Sequence, residues 1–235
     1  MKIDIIAFDA DDTLWINEPR YLDAEAKLRD VLASYALDDE ISNHLHQTEI
    51  RNLGVFGYGV KGYIISMLDT AIEISQQRVT GAEIAKILQI GRNMLEAPVE
   101  LFEHVEETLK QLAKTKDLMV ITKGDLVEQE DRIQRSGLAK YFRYIEIVSG
   151  KTEATYQGIL QKYQFQPERF MMVGNSLRSD ILPVLALGAH AVYIHYENTW
   201  QHEKLHPHEV GHVVYEQIDH IGLLPELIEV LEAQK

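Results

Sequence analysis

Ile3-Asp4-Ile5-Ile6-Ala7-Phe8-Asp9-Ala10-Asp11-Asp12-Thr13 is the stretch whose reading decides the fold. Its first half is β-branched and apolar, which predicts a buried strand over Ile3–Phe8. Its second half ends that strand abruptly with carboxylates. The rest of the chain says what kind of sheet the strand belongs to.

After Pro98 the pattern is regular. Residues 99–115 read as a helix, 118–122 as a strand and 126–136 as a helix closed near Gly137. Then come a strand at 144–148, a helix at 152–163, a strand at 170–173, a helix at 180–187 ending before Gly188, and a strand at 191–195. Val213 and Val214 suggest one more strand, and 223–233 closes the chain as a helix. Strands alternating with helices imply an α/β fold, a parallel sheet covered on both faces. Between Trp15 and Pro98 no strand is evident. Helices are expected at 21–35, 41–53 and 63–75, with a glycine-rich break at Gly54, Gly57, Gly59 and Gly62. Thr80 with Glu83 three residues on predicts a capping box opening a further helix. The expected organisation is a core of residues 1–14 and 99–235 with an inserted all-helical cap at 15–98.

The 235 residues carry a formal net charge of −14, which argues against nucleic acid as a partner because binding it needs a basic face. Apolar residues make up 46% and charged residues 26%, ordinary values for a globular chain. No apolar run approaches the ~20 residues that cross a bilayer. Asp4 and Asp9 break the first apolar stretch, so it does not read as a signal peptide. There is no cysteine, which excludes disulfides and thiolate metal sites and fits a cytoplasmic setting.

In folds of this class, ligands sit beyond the carboxyl ends of the strands, where the strand order reverses. Asp9 and Asp11 follow the first strand, Thr122 and Lys123 the second, Lys151 the third, and Asn175, Ser176 and Asp180 the fourth. In extended backbone, i and i+2 face the same way, so Asp9 and Asp11 can address one small ligand. Two close carboxylates repel unless a cation or a proton intervenes. Oxygen donors without cysteine favour Mg²⁺ over zinc. A carboxylate is also a competent nucleophile toward phosphorus, and a neighbouring carboxyl can act as acid and then base. Each residue alone has an ordinary explanation: a strand-end threonine, a solvated lysine, an aspartate favoured by a helix start. Their convergence on one sheet edge is what points to a site.

Asp9-x-Asp11-x-Thr13, Thr122, Lys151 and Gly174-Asn175-Ser176-x-x-x-Asp180 together resemble the four motifs of the haloacid dehalogenase-like hydrolases. The resemblance covers almost the whole chain. Its helical insert is similar to the cap of the phosphoglycolate-phosphatase-like branch. The resemblance implies a Rossmann-like core, a cap that opens and closes, Asp9 as nucleophile and Asp11 as general acid/base. It also implies that Thr122 and Lys151 bind the transferring phosphoryl group. Mg²⁺ would be held by Asp9, the Asp11 backbone carbonyl and Asp180, with Asn175 a further candidate. Asn175 departs from the family, where many members carry Asp. Dehalogenases of the family lack the second acid of the first motif, so Asp11 points to phosphate chemistry.

The expected activity is therefore hydrolysis of a small phosphorylated metabolite through an aspartyl-phosphate on Asp9. A phosphomutase and a catalytically weak phosphate-binding protein are the alternatives. Lys123, Tyr58 and Lys61 are further candidates for binding substrate, with Arg51 and Trp15 behind them, and Trp15 can equally pack the hinge. The chain is expected to be a monomer or homodimer without a membrane partner. The run His202, His206, His208, His212 has metal-like spacing, but Pro207 interrupts it, and it reads as an exposed loop near the site.

Overall fold

The computed structural model describes residues 2–205, 210 and 213–233. Six parallel strands form one sheet: β1 (Ile5–Phe8), β2 (Asp117–Lys123), β3 (Tyr144–Val148), β4 (Phe170–Gly174), β5 (His190–Ile194) and β6 (Glu216–Ile218). Their spatial order is β3-β2-β1-β4-β5-β6, the order of a Rossmann-like α/β sheet. The chain runs outward from β1 to β3 on one side and from β4 to β6 on the other. The reversal point therefore lies between β1 and β4, where Phe8 is level with both Val120 and Val173.

Alternation along each strand divides the core into two layers. Ile6, Phe8, Val120, Val173 and Val192 face one way and pack with Leu109, Ile133, Leu224 and Ile228. These four come from α5 (Val105–Leu112), α6 (Leu126–Arg135) and α9 (Leu224–Ala233). Ile5, Ala7, Ile121, Met172 and Ala191 face the other way and pack with Tyr156, Ile159 and Val184. Those come from α7 (Glu153–Tyr163) and α8 (Leu182–Leu185). With both faces covered, the central strands read as continuous apolar runs, and each large side chain so buried contributes about 1.5–3 kcal/mol.

The chain divides into two compact units. The sheet belongs to the unit made of residues up to Glu18, Val99–Lys123 and Asp131 onward. The other unit comprises Pro19–Pro98 and Gly124–Glu130. Its helices are α1 (Glu18–Leu32, all but its first residue), α2 (Asp38–Phe56), α3 (Val60–Ile74) and α4 (Gly81–Glu96). They share an apolar interior of Leu28, Leu32, Ile41, Met67 and Ile87. The Thr80–Glu83 capping box forms as expected at the start of α4. Gly54 and Gly62 lie within α2 and α3, so the break is narrower than expected: it is the turn at Gly57 and Gly59, whose φ angles are 72° and 110°. A Cβ on Gly59 would sit 2.9 Å from Glu128 Oε2, the atom that accepts the Val60 N–H at the start of α3.

Three elements differ from the sequence reading. Residues 99–104 are not helical. Glu100 O accepts the Ile16 N–H at 2.9 Å, and the Phe102 N–H donates to Leu14 O at 3.1 Å. The two chain legs thus satisfy each other's backbone groups, and α5 starts only after His104 turns left-handed at φ 68°. The helix expected at 180–187 is instead a single π-helical turn over Leu177–Ile181 followed by the short α8. Pro183 has no N–H to continue an earlier helix and sits in the first turn of the new one. Val213 and Val214 form no strand. The last strand is Glu216–Ile218, in which Ile218 is buried opposite Ile194, whereas Val214 is 88% exposed.

Candidate active site

Asp9 is the first residue beyond β1, and its N–H donates to Val173 O at 2.9 Å. That bond fixes it at the strand-order reversal, with its side chain buried. Lys151 Nζ donates to Asp9 Oδ1 and, at 2.7 Å, to Asp180 Oδ1. The Thr13 hydroxyl lies 2.9 Å from Asp9 Oδ2 and 3.2 Å from Asn175 Oδ1, and accepts the Asn175 N–H at 3.1 Å. One ammonium and one hydroxyl thus gather Asp9, Asn175 and Asp180 from two strand ends. Gly174 makes room for this. A Cβ there would lie 2.3 Å from Asp180 Oδ2, the oxygen that accepts the Ser176 N–H.

The electrostatics follow from burial. Desolvation pushes the Asp9 carboxyl up to about 7, against the lowering effect of the Lys151 charge, and the Asp180 charge adds to the rise. Lys151 is fully enclosed, yet Asp180 and Asp9 outweigh its desolvation and raise its pKa. In donor type the residues fit a hard divalent cation. Asp9, Asp180 and Asn175 offer side-chain oxygens, and one ammonium stands among them. Among the described residues no group of three or more His, Cys, Asp or Glu side chains is arranged to hold a metal. Amide and backbone oxygens would have to complete such a site.

Asp11 points its Oδ1 at two donors: Trp15 Nε1 at 2.7 Å and Arg132 Nη1 at 2.7 Å. Trp15 is wholly buried in the sheet unit's core. Thr122, the last residue but one of β2, is buried, its hydroxyl 3.4 Å from Lys123 O. Lys123 does not stand as a solitary cation. It pairs with Glu203 and donates to Ser179 Oγ at 2.9 Å. Lys61 donates to Asp125 Oδ1 at 2.7 Å and Arg51 to Glu73 Oε1 at 2.9 Å, all within the helical unit, where Tyr58 is half-buried in the turn before α3.

Sequence did not single out Arg132, nor Asp12 and Glu203. Asp12, with φ 61°, accepts the N–H groups of Asn17 and Glu18 at 2.9 and 3.0 Å and so caps α1. Burial raises it to about 7, partly offset by those N–H bonds. Its signal was a third acid in a strand-end loop, hidden by its two neighbours. Glu203 accepts the Ser176 and Ser179 hydroxyls as well as Lys123. Burial works against its charge, but Lys123 and the hydroxyls hold it down at about 2. Nothing local in the sequence marks it. The histidine run is only partly visible: His206, His208 and His212 lie outside the described residues, and the ring of His202 packs 4.9 Å from that of Trp200.

The haloacid dehalogenase-like hydrolase family model matches residues 3–188. A haloacid dehalogenase-like hydrolase from Xanthomonas campestris is 38% identical and superposes with a TM-score of 0.87, over 99% of this chain and 93% of that one. The glyceraldehyde 3-phosphate phosphatase of Pyrococcus furiosus is 25% identical over 99% of this chain and 95% of its own length. The 5-amino-6-(5-phospho-D-ribitylamino)uracil phosphatase YigB of Escherichia coli is 26% identical, over 88% of this chain and 91% of its own. A 2-haloacid dehalogenase from Pseudomonas syringae is 25% identical with a TM-score of 0.66, over 97% and 99% of the two chains. On the family match over residues 3–188 and the shared fold, this chain belongs to the haloacid dehalogenase-like hydrolases.

Proposed function

We propose that this hydrolase is a Mg²⁺-dependent phosphatase of a small phosphorylated metabolite, working through an aspartyl-phosphate on Asp9. The observation that carries the reading is the buried Asp9 carboxylate bracketed by Lys151 and Thr13, with a second acid, Asp11, two residues on. The named phosphatases among its relatives support it. A dehalogenase also stands among its neighbours. Asp11 weighs against that chemistry, since cleavage of carbon–halogen bonds calls for no acid to protonate the leaving group.

In the first half-reaction an Asp9 oxygen bonds to phosphorus, the ester P–O bond breaks, and Asp11 gives its proton to the departing oxygen. In the second, Asp11 takes a proton from water as the water oxygen bonds to phosphorus. The Asp9–phosphorus bond breaks and inorganic phosphate leaves. Lys151 and Thr122 are the proposed donors to the phosphoryl oxygens. Asp9, the Asp11 carbonyl, Asp180 and Asn175 would hold Mg²⁺, which when bound supplies positive charge against the phosphoryl group. Tyr58, Lys61 and Lys123 remain proposed substrate contacts, although Lys61 and Lys123 already have carboxylate partners. Asp9 and Asp180 with one ammonium between them favour phosphoryl chemistry over a purely binding role.

Release of inorganic phosphate from sugar phosphates, nucleotides and phosphorylated acids, with Mg²⁺ and with EDTA, tests this. Asp9→Asn should lose at least about 10⁴-fold in kcat while keeping its circular dichroism spectrum. Asp180→Ala should raise the Mg²⁺ concentration needed for half-maximal rate by at least about tenfold. Phosphate release by folded Asp9→Asn would remove Asp9 as nucleophile. Activity indifferent to EDTA would remove the metal.

A further inference from the structure

Asp11 is held by a pair of side chains that none of the family motifs includes. Trp15 Nε1 and Arg132 Nη1 both reach Oδ1 at 2.7 Å, and the guanidinium carbon lies 5.7 Å from the Trp15 ring centroid. Carboxylate, indole and guanidinium thus close a triangle. Trp15 has no exposed surface and Arg132 only 5%. Arg132 Nε and Nη2 are also buried, with no hydrogen-bond partner among the described residues. Enclosing a guanidinium with donors unfilled is unfavourable, and a methionine at this place on α6 would cover Trp15 without that cost. The arrangement is therefore poor as a stability device and makes sense through the carboxylate it grips.

We propose that Arg132, with Trp15, is a positioning residue that holds Asp11 in one rotamer for proton transfer. The proposal rests on the phosphatase reading above. The proton passes from the Asp11 carboxyl to the leaving-group oxygen as the ester P–O bond breaks, and returns to that carboxyl from water as the acyl phosphate is hydrolysed. Without the grip, the carboxyl samples other rotamers, and only the steps that need its proton slow down. A purely structural role would slow all substrates alike.

The test compares two substrates in the presence of Mg²⁺. With p-nitrophenyl phosphate the departing phenolate needs no proton, whereas with glycerol phosphate the departing alkoxide does. Arg132→Met should lower kcat at least about 100-fold for glycerol phosphate and less than about tenfold for p-nitrophenyl phosphate, with KM little changed. Arg132→Lys should recover part of the loss. Trp15→Phe keeps the ring but deletes the N–H donor and should show the same substrate dependence at about tenfold; it carries the test alone if Arg132→Met does not fold. In an Asp11→Asn background, Arg132→Met (or Trp15→Phe) should cost almost nothing further, because it acts through Asp11. Equal losses on both substrates, or losses additive with Asp11→Asn, overturn the proposal. If Asp11→Asn itself shows no dependence on the leaving group, or Asp9→Asn stays active, it is the phosphatase reading that fails. If both behave as expected and the Arg132 and Trp15 variants do not, only this inference falls.

Discussion

Glu203 in the sheet unit and Glu49 in the helical unit are both carboxylates withdrawn from water, and their surroundings differ completely. Glu203 accepts bonds from Lys123, Ser176 and Ser179 and stays charged, its pKa held down at about 2. Glu49 is pushed up to about 7 by burial, and its charged neighbour is another acid, Glu25. The contrast extends beyond these two. Around the sheet's reversal point nearly every buried charge has a partner: Lys151 with Asp9 and Asp180, Lys123 with Glu203, Arg132 with Asp11. The helical unit is held by an apolar interior and keeps its ion pairs at exposed or half-exposed positions, such as Arg51–Glu73 and Lys27–Asp23. Ordered charge costs desolvation and is worth keeping where chemistry uses it. Where only stability is at stake, an apolar stripe serves better.

The comparison can be broken or sharpened by removing either carboxylate. The largest effect is expected from Glu203→Gln. A folded pKa below the unfolded value of 4.5 means its stabilisation is fully present above pH 4.5 and is lost as pH falls toward 2. The variant should lose about 3 kcal/mol at pH 7, and its urea-denaturation curve should converge with wild type near pH 2. A constant difference across that range would mean that Lys123 does not hold Glu203 charged. Gly174→Ala comes next. Its Cβ meets Asp180 at 2.3–2.7 Å, so Asp180 must move. A loss of about 2 kcal/mol in thermal unfolding is expected and, on the proposed metal role of Asp180, a higher Mg²⁺ concentration for half-maximal rate. An unaltered variant would show that Asp180 is not tightly seated. The smallest effect has the opposite sign. Glu49 binds its proton more tightly folded than unfolded, so its penalty is absent below pH 4.5 and grows as pH rises through 7. Glu49→Gln should raise stability at pH 8 by about 1 kcal/mol and leave it unchanged at pH 4. No gain at pH 8 would mean that water reaches Glu49 after all.

The sequence by itself determined the elements whose signals are local. Ile3–Phe8 and Leu118–Thr122 read as strands because all their side chains but Asp4 and Thr122 are apolar, and Thr80 announced its capping box through Glu83 three residues away. Asp9, Thr122, Lys151, Asn175 and Asp180 were legible because a parallel sheet brings all strand ends to one edge, whatever lies between them in the chain. Only the tertiary structure decided the rest. The Leu14–Ile16 leg pairs with Glu100–Phe102, which removes a helix that periodicity alone predicted. Lys123 meets Glu203 across 80 residues, and Arg132 reaches Asp11 from α6. Such partners follow no spacing rule. A buried charge takes whatever opposite charge the folded chain delivers, and that delivery depends on how helices pack on the sheet rather than on any repeat in the residues themselves.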